Sequence, residues 1–121
     1  MTARRLLIVD DEPAICEFVS RAAAGVGFEV RATTRAADFM AAFPAFEPTH
    51  IILDVLMPEM DGIELIQWLA RAGCTARIAV ITGGQWNYAK AAEKLGIIRG
   101  LPSVTTLRKP VSLADLRAVL T

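Results

Sequence analysis

The sequence predicts an α/β domain: an open, doubly wound sheet of five parallel strands wrapped by five helices. Three observations carry this. Short apolar runs alternate with helix-period segments along all 121 residues, the pattern of a parallel sheet with helices on its faces. The run from Thr49 to Asp54 is the most uniformly apolar, as expected of a strand buried on both faces. Four of the five apolar runs also deliver polar, chemistry-bearing residues to their carboxyl ends, where sheets of this kind bind ligands. The length fits one domain, residues 1–121, and is too short for two.

Each element has its own justification. The first strand reads Arg5 to Val9. Pro13 stands just inside the helix that follows, whose apolar positions Ile15, Phe18, Val19, Ala22 and Val26 make one stripe, and Gly25 and Gly27 end it. Phe28 to Ala32 is a short second strand. Arg35 to Phe43 is a second helix with Phe39, Met40 and Phe43 on one side, closed off by Pro44 and Pro48. After the third strand, Asp61 caps a helix running to Arg71, with Glu64 three residues on. Arg77 to Thr82 is the fourth strand. Gln85 to Leu95 is the fourth helix, stopped by Gly96, and Val104 to Leu107 the fifth strand. The last helix begins at Ser112, with Asp115 completing the cap and Leu113, Leu116 and Leu120 facing inward.

Composition excludes several function classes. Basic and acidic residues balance at 13 each, so no global positive field draws the chain to nucleic acid or an anionic membrane. The expected partner is a protein. Hydrophobic content is 54%, much of it alanine, and no apolar run approaches the roughly 18 to 20 residues of a membrane span. The opening Met1-Thr2-Ala3-Arg4-Arg5 is basic, but the apolar stretch behind it ends at Val9, too short for a secretory signal; a cytoplasmic address follows. Cys16 and Cys74 read as reduced thiols, and the lone His50 builds no metal site by itself.

At the strand ends the residues suggest one chemistry. Asp10 and Asp11 follow the first strand, Asp54 ends the third, Thr82 ends the fourth and Lys109 follows the fifth. Singly, each has an ordinary reading as a cap, a turn former or a solvated charge. Together, three carboxylates repel unless a cation sits among them, and Mg²⁺, which takes oxygen ligands and bridges carboxylates to phosphoryl groups, suits Asp10, Asp11 and Asp54. Phosphoryl transfer needs an in-line nucleophile and positive charge around the moving oxygens. Asp54 would be the nucleophile, with Lys109 and the Thr82 hydroxyl stabilising the phosphoryl oxygens. One charge contact at about 4 Å is on the order of 4 kcal/mol before desolvation is subtracted. Pro110 is a cis-peptide candidate that would aim Lys109 back toward the strand ends.

Four stretches resemble the signature segments of the receiver domain of two-component response regulators, in the family's order and over essentially the whole chain. They are Leu6-Leu7-Ile8-Val9-Asp10-Asp11-Glu12-Pro13, LDVLMPEMDG from Leu53 to Gly62, Ala79-Val80-Ile81-Thr82-Gly83 and Leu107-Arg108-Lys109-Pro110. The resemblance implies a flavodoxin-like sheet of order 2-1-3-4-5. It implies that Asp54 takes a phosphoryl group from a phosphohistidine donor, held by a sensor histidine kinase or a phosphotransfer protein. Asp10, Asp11, Asp54 and the backbone carbonyl of Leu56 would hold Mg²⁺. Thr82 would follow the phosphoryl group and Lys109 would pair with it. The signal would pass through the face of the fourth helix, fifth strand and fifth helix to a downstream protein or a C-terminal output domain. Enzymatic activity would be confined to self-phosphorylation and self-dephosphorylation. Whether the chain pairs with itself is left open.

Some positions depart from the pattern. Receivers often carry Tyr or Phe three residues before the Lys; here Thr106 stands there, a residue with no ring to bury, and we expect it not to be the switch. Leu56 and Gly84 hold the two positions that tune phosphoryl lifetime in the family. The segment Gly96 to Thr105 reads as a long connection and resembles receivers attached to cyclic-di-GMP phosphodiesterase domains. Trp68 reads as packing, while Trp86, near the start of the fourth helix, is as open to a partner-facing role as to packing. Arg99, Arg108, Lys90 and Lys94 form either a basic patch near the same face or an ordinary solvated surface. Two other functions compete. Haloacid-dehalogenase-type phosphatases share the nucleophile, metal, hydroxyl and lysine, but need a second acid where this chain has Leu56. A receiver fold that binds a partner unphosphorylated would have no reason to retain the complete set.

Overall fold

The computed structural model describes residues 3–121; Met1 and Thr2, the first two residues of the expected domain and of its basic opening, lie outside the described residues. The strands are β1 (Arg5–Val9), β2 (Glu29–Thr33), β3 (His50–Asp54), β4 (Arg77–Thr82) and β5 (Val104–Arg108). The helices are α1 (Pro13–Gly25), α2 (Ala36–Phe46), α3 (Gly62–Arg71), α4 (Trp86–Ile98) and α5 (Leu113–Val119). All neighbouring strands pair in parallel, in the order β2-β1-β3-β4-β5.

Strand periodicity divides the interior into two cores. Leu7, Val9, Ile51, Leu53, Ile78 and Val80 point to one face, where they meet Phe39 of α2, Leu65, Ile66 and Leu69 of α3, and Ala89 and Ala92 of α4. Leu6, Ile8, Ile52, Ala79 and Ile81 point to the other, against Cys16, Val19 and Ala23 of α1 and Leu116 of α5. Successive side chains on a strand alternate faces, so strands covered on both sides must be apolar at every position. None of the described helices is long and apolar enough to cross a membrane.

Several boundaries differ from expectation, each for a local reason. The buried stripe of α1 is Cys16, Val19 and Ala23, whereas Phe18 and Val26 are each 40% exposed; small Cys16 and Ala23 let the helix lie close to the sheet. Strand β2 starts at Glu29, whose N–H donates to the Arg4 carbonyl at 2.9 Å, and Phe28 packs edge-on against His50 instead. Helix α2 continues through Pro44 to Phe46 and ends at Glu47, whose φ of 50° is left-handed. A proline near a helix end removes only one ladder bond, so it does not have to stop the helix.

Helix α4 does not stop at Gly96 but runs to Ile98, which shrinks the expected long connection to residues 99–103. Gly96 is a packing glycine. A Cβ there would stand 3.0 Å from Leu101 Cδ1 and 3.1 Å from both Ile66 Cγ2 and Val104 Cγ2. The left-handed turn that ends the helix falls at Gly100, φ 100°. In α5, Ser112 accepts from the Asp115 N–H at 3.0 Å. Leu116 and Leu120 are buried, but Leu113 is 42% exposed rather than inward.

Candidate functional site

The strand ends bring the sequence-predicted residues together. Asp10 follows β1 and is buried, Asp54 is the last residue of β3 and buried, and Thr82, last in β4, is fully enclosed. Carboxylate oxygens of Asp10, Asp11, Glu12 and Asp54 all lie within 4.8 Å of one another. Lys109 enters from the end of β5, its N–H held by the Thr82 carbonyl at 2.8 Å, and the Lys109–Pro110 peptide is cis.

Local structure fixes each group. Asp10 Oδ1 accepts from the Glu12 N–H at 2.9 Å. Asp54 Oδ1 receives the Leu56 N–H at 3.4 Å, and Val55 N–H donates to the Ile81 carbonyl at 3.0 Å, extending the β3–β4 ladder past the carboxylate. The loop then folds back: Gly62 N–H donates to the Val55 carbonyl at 2.7 Å, and a Cβ at Gly62 would lie 2.9 Å from Val55 Cα. Only glycine fits there. Asp61 caps α3 by accepting from Glu64 N–H at 2.9 Å. Thr82 Oγ1 accepts from Gln85 N–H at 2.9 Å, linking the buried hydroxyl to the start of α4.

Among the described residues, Lys109 is the one ammonium in contact with these acids. Its Nζ lies 2.8 Å from Glu12 Oε1, 3.5 Å from Asp10 Oδ2 and 3.5 Å from Asp54 Oδ2. Burial and the neighbouring charge of Asp10 push the Asp54 carboxyl up to about 6, and burial likewise raises Asp10. Burial pulls the Lys109 ammonium down, but the hydrogen bond to Glu12 and the charges of Asp54 and Asp10 outweigh it and hold it above its ordinary value. Asp10 Oδ2 is buried without a hydrogen-bond partner among the described residues. An orphaned carboxylate oxygen, an all-oxygen donor set and more acids than a single ammonium can neutralise together fit a hard divalent cation.

Sequence reasoning missed Glu12 as the tightest partner of Lys109. It missed a second feature at the same edge, where Arg35 Nε and Nη2 both donate to Glu59 Oε1, at 3.1 and 2.7 Å, tying the start of α2 to the β3–α3 loop. The run Asp10-Asp11-Glu12 carries no sign of which acid turns toward the lysine. Thr106 donates to the Glu93 carboxylate of α4, which Lys90 also holds, at 3.0 Å. Trp86 lies under the Arg108 guanidinium at 4.4 Å and near Lys90 at 5.5 Å, so two residues of the suggested basic patch instead contact its ring. Trp68 packs edge-on against Phe43. His50 sits at the far end of β3, bonded to Thr49 Oγ1 at 2.9 Å, and burial together with Arg77 and Arg4 lowers its pKa. Cys16 and Cys74 are free and buried.

Comparison with known proteins places the chain in a family and agrees with its fold. Residues 6–121 match the family described as the response regulator receiver domain. The tetrathionate response regulatory protein TtrR of Salmonella typhimurium is 30% identical over 93% of this chain and 52% of its own length. The DNA-binding transcriptional regulator NtrC of Azospirillum brasilense is 32% identical over 95% of this chain and 24% of its own. The chain thus spans about half or less of these curated relatives. Among solved structures, the chemotaxis protein CheY4 of Vibrio cholerae superposes with a TM-score of 0.85 at 24% identity, covering 98% of this chain and 97% of its own. A response regulator receiver domain protein from Clostridium thermocellum gives 0.84 at 23% identity, over 97% and 90%. At these identities the structural matches speak for the fold.

Proposed function

The chain belongs to the response regulator receiver family of two-component systems, and from that premise we propose that Asp54 accepts a phosphoryl group from a phosphohistidine donor in a Mg²⁺-dependent reaction. The observation that carries the reading is the Asp54 carboxylate itself: buried at the end of the central strand, among three other acids, and 3.5 Å from the Lys109 ammonium. In the transfer, a carboxylate oxygen of Asp54 attacks phosphorus opposite the phosphorus–nitrogen bond. A phosphorus–oxygen bond forms, the phosphorus–nitrogen bond breaks, and its electron pair leaves on the imidazole nitrogen. Asp54 must be ionised to attack, and with its pKa at about 6 it is so near neutral pH.

Lys109 donates to one phosphoryl oxygen and the Thr82 hydroxyl to another, placing preorganised charge where the transition state spreads it. Asp10, Asp11, Asp54 and the Leu56 carbonyl would hold Mg²⁺, which when bound would supply positive charge to the third phosphoryl oxygen. The same residues serve the later loss of the group, in which water attacks phosphorus, the bond to the Asp54 oxygen breaks and inorganic phosphate leaves. Leu56 is 48% exposed and offers water no side-chain hydrogen bond, while the space beside Gly84 is open; these oppose one another in setting the lifetime.

The partners proposed are a sensor histidine kinase or phosphotransfer protein upstream and a downstream protein or attached output domain, in the cytoplasm. The signalling face proposed is α4, β5 and α5. Thr82 accepts from the backbone of Gln85, so movement of its hydroxyl toward a phosphoryl oxygen bears directly on the residue before Trp86. Incubation with acetyl phosphate and Mg²⁺, followed by intact mass, tests the central step. The wild type should gain one phosphoryl group and Asp54→Asn none; an unchanged wild-type mass, or equal gain in the variant, contradicts it.

A further inference from the structure

An acid next to the proposed acceptor, Glu12, holds Lys109 more closely than the acceptor does. Lys109 Nζ is 2.8 Å from Glu12 Oε1 but 3.5 Å from both Asp54 Oδ2 and Asp10 Oδ2. A charge-assisted N–H···O bond has its best length at about 2.7–2.9 Å, so one of the three ammonium protons is fully committed to Glu12 while the other contacts are stretched. The Glu12 side chain is 58% exposed and that of Lys109 16% exposed, so Glu12 reaches in over the site from solvent.

We propose that Glu12 is a positioning residue that parks the Lys109 ammonium away from Asp54 before phosphorylation, and thereby limits how tightly the site takes and holds a phosphoryl group. The proposal rests on the reading of Asp54 as phosphoryl acceptor. For Lys109 to close on a phosphoryl oxygen carried by Asp54, its short bond to Glu12 must lengthen or break. Removing the Glu12 charge therefore frees the ammonium. The alternative role for the same carboxylate, as a further cation ligand in the acid group, predicts the opposite sign, because its loss would weaken Mg²⁺ and with it the bound phosphoryl.

Substitution should leave the fold intact. Glu12 is the N-cap residue of α1 but makes no side-chain capping bond, and its structural contacts, to Asp10 Oδ1 and from Ile15 and Cys16, are made by its backbone. The test is titration of beryllofluoride, a phosphoryl mimic, at saturating Mg²⁺, followed by backbone amide NMR shifts. Four proteins are compared: wild type, Glu12→Gln, Lys109→Met and the double variant, with Mg²⁺ affinity measured separately in each.

Glu12→Gln should bind the mimic roughly three- to fivefold more tightly, the scale of one partly exposed ion pair. That gain should disappear in the Lys109→Met background, and the Mg²⁺ affinity of Glu12→Gln should stay within about twofold of wild type. Equal or weaker binding by Glu12→Gln, or a gain that survives loss of Lys109, overturns the proposal. Failure of the wild type to bind beryllofluoride at all would instead remove the acceptor reading on which it stands.

Discussion

Replacing Asp54 by Asn should stabilise the metal-free protein while removing its proposed chemistry. The Asp54 carboxyl is raised from 3.8 to about 6, first by burial and then by Asp10. The folded state therefore holds this proton more tightly than the unfolded chain does. The associated stability is complete below pH about 4 and is lost as pH rises through about 6, the folded value. A difference of roughly 2 units corresponds to about 3 kcal/mol of charge burial carried by the wild type above pH 7. Asn keeps the shape without the charge. The lost 3.5 Å contact to Lys109 is already contained in that shift, which Lys109 lowers, and the ammonium retains Glu12 and Asp10, so the net gain should be about 3 kcal/mol, or roughly 12 °C in Tm. Thermal and urea denaturation in chelator, at pH 8 and pH 4, measure it. The gain should be present at pH 8 and nearly absent at pH 4. An Asn variant no more stable than wild type at pH 8, or equally stabilised at both pH values, would refute the account of the buried charge.

Three further outcomes are expected. Mg²⁺ at about 100 times its Kd should stabilise the wild type by about 2.7 kcal/mol, and Asp10→Asn should lose most of that shift; an undiminished Mg²⁺ effect in thermal melts of the variant would place the ion elsewhere. Leu56→Asn should lose its phosphoryl group faster than wild type in a timed intact-mass assay, because an amide can orient water where Leu56 cannot; an unchanged or slower rate would count against this. Gly96→Ala should cost about 1–3 kcal/mol by overpacking against Leu101, Ile66 and Val104, and a wild-type Tm would show that the α3–α4 contact yields more readily than its spacing suggests.

The parts of the fold legible in the sequence are those where pattern and physics coincide. Thr49 to Asp54 read as a central strand, observed from His50 onward, because burial on both faces left Ile51, Ile52 and Leu53 no room for polar side chains before the carboxylate. Asp61 and Ser112 read as caps because the acid three residues on marks a helix start, and both side chains accept the expected N–H. Gly96 misled because a glycine inside a helix for packing looks, in one dimension, like a glycine that ends it. Phe18 and Leu113 misled because helix periodicity identifies an apolar face without saying how closely small residues such as Cys16 and Ala23 bring that helix to the sheet.

The candidate site was legible as residue types at strand ends, since topology alone carries Asp10, Asp54, Thr82 and Lys109 to one edge. Its internal preferences were not. That Lys109 leans to Glu12, that Thr106 bonds Glu93, and that Trp86 stacks with Arg108 depend on side-chain directions set by loop and helix placement. Spacing in the sequence does not encode them.

The most direct measurement of the central claim is localisation of the acyl phosphate. After reaction with a phosphohistidine-bearing donor protein and Mg²⁺, borohydride reduction converts a phosphorylated aspartate to homoserine, which peptide mass spectrometry assigns to a position. The account predicts homoserine at position 54 and its disappearance when Mg²⁺ is chelated. Homoserine at position 10 or 11, or none at any aspartate from a donor that demonstrably loses its phosphate, would contradict it.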